Sequence, residues 1–245
     1  MTDKPTEDNL FARPRAHLVD FAFDEQVAQV FPDMIRRSVP GYETVIAMLG
    51  VFASDLVRAD TRVYDLGCSQ GAATLALRRH IEAPGVTLVA VDNSAPMIER
   101  CRANLAADLS PTPVELRCED IQDTVVERAS LVVLNYTLQF VALEQRQLLI
   151  ARLYQGLEPG GALVIAEKIR AAAAPEQQDL VRWHHGFKRL NGYSGLEISQ
   201  KRQALENVLL PEQPETHEER LRVVGFQQVY RWFQCFNFAA FIAIK

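Results

Sequence analysis

Apolar and polar positions follow two rhythms along this chain, and the change between them is sharpest at residues 63–75. Val63-Tyr-Asp-Leu66 is a short apolar run that stops at Gly67-Cys-Ser-Gln-Gly71, after which Ala-Ala-Thr-Leu75 has helical spacing. That order predicts a strand, a tight turn and a helix N-terminus. The alternation repeats downstream. It predicts strands near 62–66, 86–91, 113–118, 130–135 and 161–167, with helices near 71–81, 95–107 and 143–156. Gly160-Gly161 breaks the chain just before the apolar run Ala162-Leu-Val-Ile165. Two helices come earlier. One spans Phe23 to Arg37 and ends at Ser38-Val-Pro-Gly41. The other runs from Tyr42 to about Val57, with Val45, Ile46, Leu49 and Phe52 on one face.

Strands alternating with helices imply an α/β fold, Rossmann-like, with a mostly parallel sheet and ligands at the carboxyl ends of its strands. A polar, mostly helical insertion of about 40 residues, 168–209, interrupts this order. A helix near 214–224 follows, then two aromatic-rich runs, Phe226 to Trp232 and Phe236 to Ile244. These predict an antiparallel pair at one sheet edge. The expected organisation is a polar disordered tail over 1–20 and a single domain over 21–245. Within that domain, a helical lid at 21–58 and the 168–209 insertion flank the sheet.

Bulk properties agree with this outline. A chain of 245 residues with 48% hydrophobic and 23% charged content has the size and composition of one α/β domain. The net charge of −5 disfavours a protein that works mainly by gripping nucleic acid. No apolar stretch reaches membrane-spanning length, and the polar start Met1-Thr-Asp-Lys-Pro lacks an apolar signal core. A cytoplasmic protein is expected. Cys68, Cys101, Cys118 and Cys235 form no Cys-x-x-Cys pair and read as buried rather than reactive thiols. His184-His185 point about 100° apart on a helix, so no metal is assigned.

The candidate chemistry gathers at the strand ends. Gly67 and Gly71 leave room for a ligand against bare backbone. Asp92 closes the second strand, where an acid can accept hydrogen bonds from both hydroxyls of a ribose lying across the first turn. A dinucleotide site requires Gly-x-Gly-x-x-Gly, and here Ser69 stands where the second glycine belongs. Asp65 adds negative charge that suits an amino group better than a pyrophosphate. S-adenosylmethionine therefore fits better than NAD. The turn resembles the first loop of the Rossmann-like methyltransferase family, Asp-x-Gly-x-Gly-x-Gly. Asn93 follows Asp92. Asp120 is placed to accept the adenine amino group while Ile121 packs on the ring, and Asn135 faces the reacting centre. Ser, Asp and Asn also cap helices, and that second reading stays open for Asp92, Asp120 and Asn135.

Further segments carry a more specific resemblance. Phe31-Pro-Asp-Met-Ile35, Ser38-Val-Pro-Gly-Tyr42, Gly67-Cys-Ser69, Asn191-Gly-Tyr-Ser194, Leu196-Glu-Ile-Ser-Gln-Lys-Arg202 and Trp232-Phe-Gln-Cys-Phe-Asn-Phe238 together resemble the carboxy-S-adenosyl-L-methionine synthase family, from about Phe21 to the C-terminus. The chain departs from the family in its polar N-terminal tail and at Ile169 to Gln178. The resemblance implies conversion of S-adenosylmethionine and prephenate into carboxy-S-adenosylmethionine and phenylpyruvate. It implies cofactor contacts from Tyr42, Gly67, Cys68, Ser69, Asp92, Asn93, Asp120, Ile121, Asn135 and Arg202. It also implies a homodimer whose product serves a tRNA carboxymethyltransferase acting on the wobble uridine, with no direct contact to nucleic acid. Arg202 would hold the new carboxylate through two parallel hydrogen bonds, and Tyr42 would orient the same group. The competing readings are a conventional methyltransferase acting on a small molecule and a non-catalytic binder of S-adenosylmethionine.

Overall fold

In a computed structural model, which describes residues 6–14 and 20–245, seven strands form one sheet in the order β3-β2-β1-β4-β5-β7-β6. The strands are β1 (Arg62–Leu66), β2 (Thr87–Asp92), β3 (Val114–Cys118), β4 (Ala129–Asn135), β5 (Leu157–Lys168), β6 (Gln228–Cys235) and β7 (Phe238–Ile244). The first five pair in parallel; β7 runs antiparallel to both β5 and β6. The predicted hairpin is therefore present, with β6 at the edge. The helices are α1 (Glu25–Ser38), α2 (Tyr42–Leu56), α3 (Ala72–His80), α4 (Ala95–Ala106), α5 (Leu143–Gly156), α6 (Ala174–Leu190), α7 (Gly195–Leu205) and α8 (Pro214–Val224).

Alternation along the strands explains why both sheet faces are covered. Tyr64, Leu66, Val89, Val91, Val132, Leu134, Leu163, Ile165 and Phe241 bury on one face. Their neighbours Val63, Leu88, Ala90, Leu131, Val133, Ala162, Val164 and Ile242 bury on the other. Strands buried on both sides must read as continuous apolar runs, as these do. The chain reverses direction across the sheet between β1 and β4, and such a switch point opens a crevice beyond the strand ends.

Three features differ from the sequence expectation. β5 starts at Leu157 and passes through Gly160-Gly161 without a break. Gly160 takes a positive φ of 74°, and the β4 register shifts between Ala129 and Leu131. The two glycines thus form an irregularity inside a strand rather than its boundary. Within the expected tail, Asp8 and Phe11 are buried, with Asp8 only 2% exposed and held by Asp33 of α1 and Lys201 of α7; residues 1–5 and 15–19 lie outside the described residues. Finally, Cys68 and Cys101 are buried, but Cys118 is exposed. It lies on β3, an edge strand with one flank open to solvent.

Candidate active site

The turn after β1 is shaped by backbone rather than by side chains. Gly67, Ser69 and Gly71 all have positive φ, at 83°, 49° and 85°. A Cβ at Gly67 would come within 2.2 Å of the Thr137 side chain, so the turn can lie against the β4 loop only with glycine there. The Gly67 and Cys68 N–H groups donate to the Val91 carbonyl at 2.8 and 2.9 Å. Cys68 touches Cys101, and that contact together with burial pushes its thiol well above the ordinary range. A thiol held this way stays protonated.

Asp92 is fixed by two backbone donors: Ser69 N–H reaches Oδ2 and Ser94 N–H reaches Oδ1, both at 2.9 Å. Each oxygen keeps a second lone pair, enough to accept a ribose hydroxyl apiece. Burial pushes this carboxyl upward in spite of the two donors. Asp65 is fully buried and takes one hydrogen bond, from Thr74 Oγ1 at 2.5 Å. Its other oxygen has no partner among the described residues, and burial raises its pKa to about 6. Asp120 accepts the Gln122 N–H at 2.8 Å, as a turn cap would, and meets the Asn93 amide at 3.5 Å. The turn-cap reading of Asp120 is thus realised through Oδ1, while Oδ2 faces Asn93. Asn135 Oδ1 is buried without a partner among the described residues.

These strand ends open into a cavity of about 560 Å³, within the size range of small-molecule sites. Nine of the ten residues expected at the cofactor line it: Tyr42, Gly67, Cys68, Ser69, Asp92, Asn93, Asp120, Ile121 and Asn135. The tenth, Arg202, does not. It is exposed on α7; burial, and after it the charge of Arg202, lower the affinity of the Lys168 amine for its proton. The unpaired oxygen of Asn135 and the bare backbone at Gly67 fit a nucleoside-bearing ligand of the type expected.

The far wall is one that motif reading missed. Lys168 at the end of β5, His184 and Lys188 on α6, and Lys201 on α7 all line the cavity, with Phe21, Phe23, Phe31, Tyr136 and Phe238 adding an aromatic surface. Lys201 Nζ donates to Ser38 Oγ at 3.1 Å and pairs with Asp8 Oδ2 at 3.5 Å. Asp8 also accepts the Tyr193 hydroxyl, and its N–H donates to Asp33 Oδ2 at 2.9 Å. Arg37 joins Asp33 at 3.0 Å and lies 4.0 Å from the Tyr193 ring centroid. His184 Nε2 sits 2.8 Å from the Ser38 carbonyl; burial, then Lys188 and Lys168, hold this imidazole neutral. Strand-end logic was able to flag Lys168. No local signal marks Lys188 or Lys201, whose burial comes from the packing of α6 and α7 against each other, α1 and the N-terminal segment.

Comparison with known proteins adds to this geometry. The profile of a methyltransferase domain matches residues 63–161. The carboxy-S-adenosyl-L-methionine synthase of Histophilus somni strain 129Pt is 55% identical over 98% of this chain and 99% of its own length. That of Pasteurella multocida strain Pm70 is 54% identical over 98% and 100%, and that of Klebsiella pneumoniae strain 342 is 54% identical over 97% and 96%. Among solved structures, the magnesium protoporphyrin IX methyltransferase of Synechocystis PCC 6803 superposes with a TM-score of 0.60 at 13% identity, covering 86% of this chain and 87% of that one. Human N-acetylserotonin methyltransferase gives 0.57 at 16% identity, over 90% and 55%. At such identities the structural likeness speaks for the class I methyltransferase fold alone.

Proposed function

This chain belongs to the carboxy-S-adenosyl-L-methionine synthase family and makes carboxy-S-adenosylmethionine from S-adenosylmethionine; from that premise we propose that prephenate is its carboxyl donor and that both substrates meet in the cavity above β1, β4 and β5. The observation that carries this reading is the gathering of nine expected cofactor residues on one cavity that also has a cationic wall.

In the proposed reaction, aromatisation of prephenate breaks its ring-to-carboxylate bond and releases carbon dioxide and a hydroxide equivalent. The hydroxide takes a proton from the sulfonium methyl group and becomes water. The electron pair left on that carbon forms the new bond to carbon dioxide, and phenylpyruvate departs. Donor, proton and charge balance without a further reagent. The protein's share is then placement and electrostatics rather than a dedicated base. Asp92 holds the ribose, Asp120 and Ile121 the adenine, and Asn135 faces the sulfonium. The helical lid and the insertion exclude water that would reprotonate the ylide.

Arg202 is proposed to pair with the carboxylate newly joined to the methyl carbon, with Tyr42 orienting it. An exposed guanidinium can take this role by swinging in from α7 or by reaching into a second copy across the proposed homodimer. The product is proposed to serve a tRNA carboxymethyltransferase, so the chain itself has no need to grip RNA. The test is incubation with S-adenosylmethionine and prephenate, followed by mass spectrometry. The expected product retains the sulfonium and gains the mass of one carbon dioxide, with phenylpyruvate in equal amount. S-adenosylhomocysteine instead would mean conventional methyl transfer, and no phenylpyruvate would leave only a binder.

A further inference from the structure

Among the described residues, two of the cavity's ammonium groups have no hydrogen-bond or ion-pair partner: those of Lys168 and Lys188. The third, Lys201, is engaged by Asp8 and Ser38. Lys188 is 8% exposed, and both free amines belong to the cavity wall. Burying like charges beside one another, without counter-ions, is unfavourable in a protein that binds only S-adenosylmethionine. That ligand already carries a net positive charge, and its sulfonium would add to the repulsion. The arrangement makes sense when a second, polyanionic ligand completes it.

Position separates this wall from the adenosyl half of the site. The residues expected at ribose and adenine follow β2 and β3, on one side of β1. Lys168 ends β5, which lies on the opposite side with β4 between. At about 4.8 Å between neighbouring strands, β5 is roughly 10 Å from β1. Lys188, on α6, lies close enough to Lys168 for the two charges to interact. The cationic pair therefore sits beyond the sulfonium position, where a co-substrate must lie.

We propose that Lys168 and Lys188 form the anion subsite for the second substrate and hold the carboxylate that the donor keeps. This rests on the carboxyl-transfer reading above, which supplies a donor with two carboxylates. Of these, the one leaving as carbon dioxide loses its charge on the way to the transition state. An ammonium paired with it would stabilise the ground state more than the transition state and slow the reaction. Pairing with the retained carboxylate stabilises both equally and places the other over the methyl carbon. Lys201 stays with Asp8 and anchors the lid. Burial, then Lys201 and Lys168, depress the proton affinity of Lys188 to about 7, and a carboxylate bound beside it would raise that affinity again.

The test compares wild type with Lys168→Met, Lys188→Met and the charge-keeping Lys188→Arg. Prephenate is titrated calorimetrically into protein saturated with S-adenosylhomocysteine, so that no turnover is needed, and steady-state kinetics are measured alongside. Each Met variant is expected to weaken prephenate binding and raise its KM by roughly 10- to 100-fold, the range of a charge-assisted hydrogen bond. Affinity for S-adenosylmethionine should stay within about threefold, and Lys188→Arg should recover part of the loss. The ligand-free Met variants should melt at or above the wild-type temperature, because a partnerless buried charge has been removed. Unchanged prephenate binding in both Met variants overturns the subsite. So does a parallel loss of S-adenosylmethionine affinity. Failure of the wild type to form carboxylated product would overturn the carboxyl-transfer reading separately, and the calorimetric arm would still decide whether these lysines hold a dicarboxylate.

Discussion

Lys188 is buried in the cavity wall beside other cations. Its folded proton affinity is depressed to about 7, and that of Lys201 to about 8, against 10.5 for a free amine. The groups facing Lys188 are Lys201 on α7, Lys168 on β5, Asp8 of the N-terminal segment, and His184 and His185 on its own helix. Below pH 7 both folded and unfolded chains carry the proton, and the full cost of burying it is present. From pH 7 for Lys188 and from pH 8 for Lys201, up to 10.5, the unfolded chain binds more protons than the folded one, so stability rises with pH, by up to about 1.4 kcal/mol per unit for each group. Urea unfolding of the ligand-free protein at pH 7, 8 and 9 should show this rise, and Lys188→Met should flatten it. An identical pH slope in the variant would show that Lys188 is not held in its depressed state.

At the scale of elements, the turn between β1 and α3 works through its contact with the β4 loop. That loop is fixed from beneath by Glu167, whose two oxygens accept the Leu138 and Gln139 N–H groups at 2.9 and 2.8 Å; burial pushes this carboxyl up to about 8. Gly67→Ala would put a methyl group into Thr137 and force a left-handed φ on alanine, costing about 1–2 kcal/mol in backbone terms alone. Affinity for S-adenosylmethionine, read by calorimetry, should fall at least about tenfold. Adding Thr137→Ala should restore part of it, because the two changes share one contact. No restoration would mean that the backbone, and not Thr137, sets the constraint. The elements themselves were largely legible beforehand. Period and turn residues placed the core strands to within a residue or two, except where Gly160-Gly161 was read as a boundary. An irregularity inside a strand and a break before it share one local signature, and only the pairing with β4 and β7 tells them apart.

Asp8 is the consequence at the scale of the whole molecule. It links the N-terminal segment to α1 through Asp33, to the insertion through Tyr193 and to the cavity wall through Lys201. Asp8→Ala would leave Lys201 buried without its counter-ion, a change that costs about 3–5 kcal/mol when one partner of such a pair is removed. The urea midpoint at pH 7 should drop accordingly. A midpoint within experimental scatter of wild type would show that the N-terminal segment is not coupled to the lid. The early residues looked like a polar tail because their composition is polar. An aspartate is buried there because Tyr193 and Lys201, far along the chain, bring donors to its carboxylate while Asp33 accepts its N–H.

What the linear order of residues determined was the alternation of strands and helices, the glycine turn after β1, and the acids Asp92, which closes β2, and Asp120, just beyond β3. Each depends on contacts between near neighbours or on the period of a single element. Tertiary structure alone decided which amines face the cavity, since Lys168, Lys188 and Lys201 come from three elements and carry no shared spacing. It also left Arg202 on the surface of the lone protomer, although its segment carries part of the family resemblance. Burial, and with it the charge state of a lysine, is a property of what packs over it, and no window of sequence contains that information.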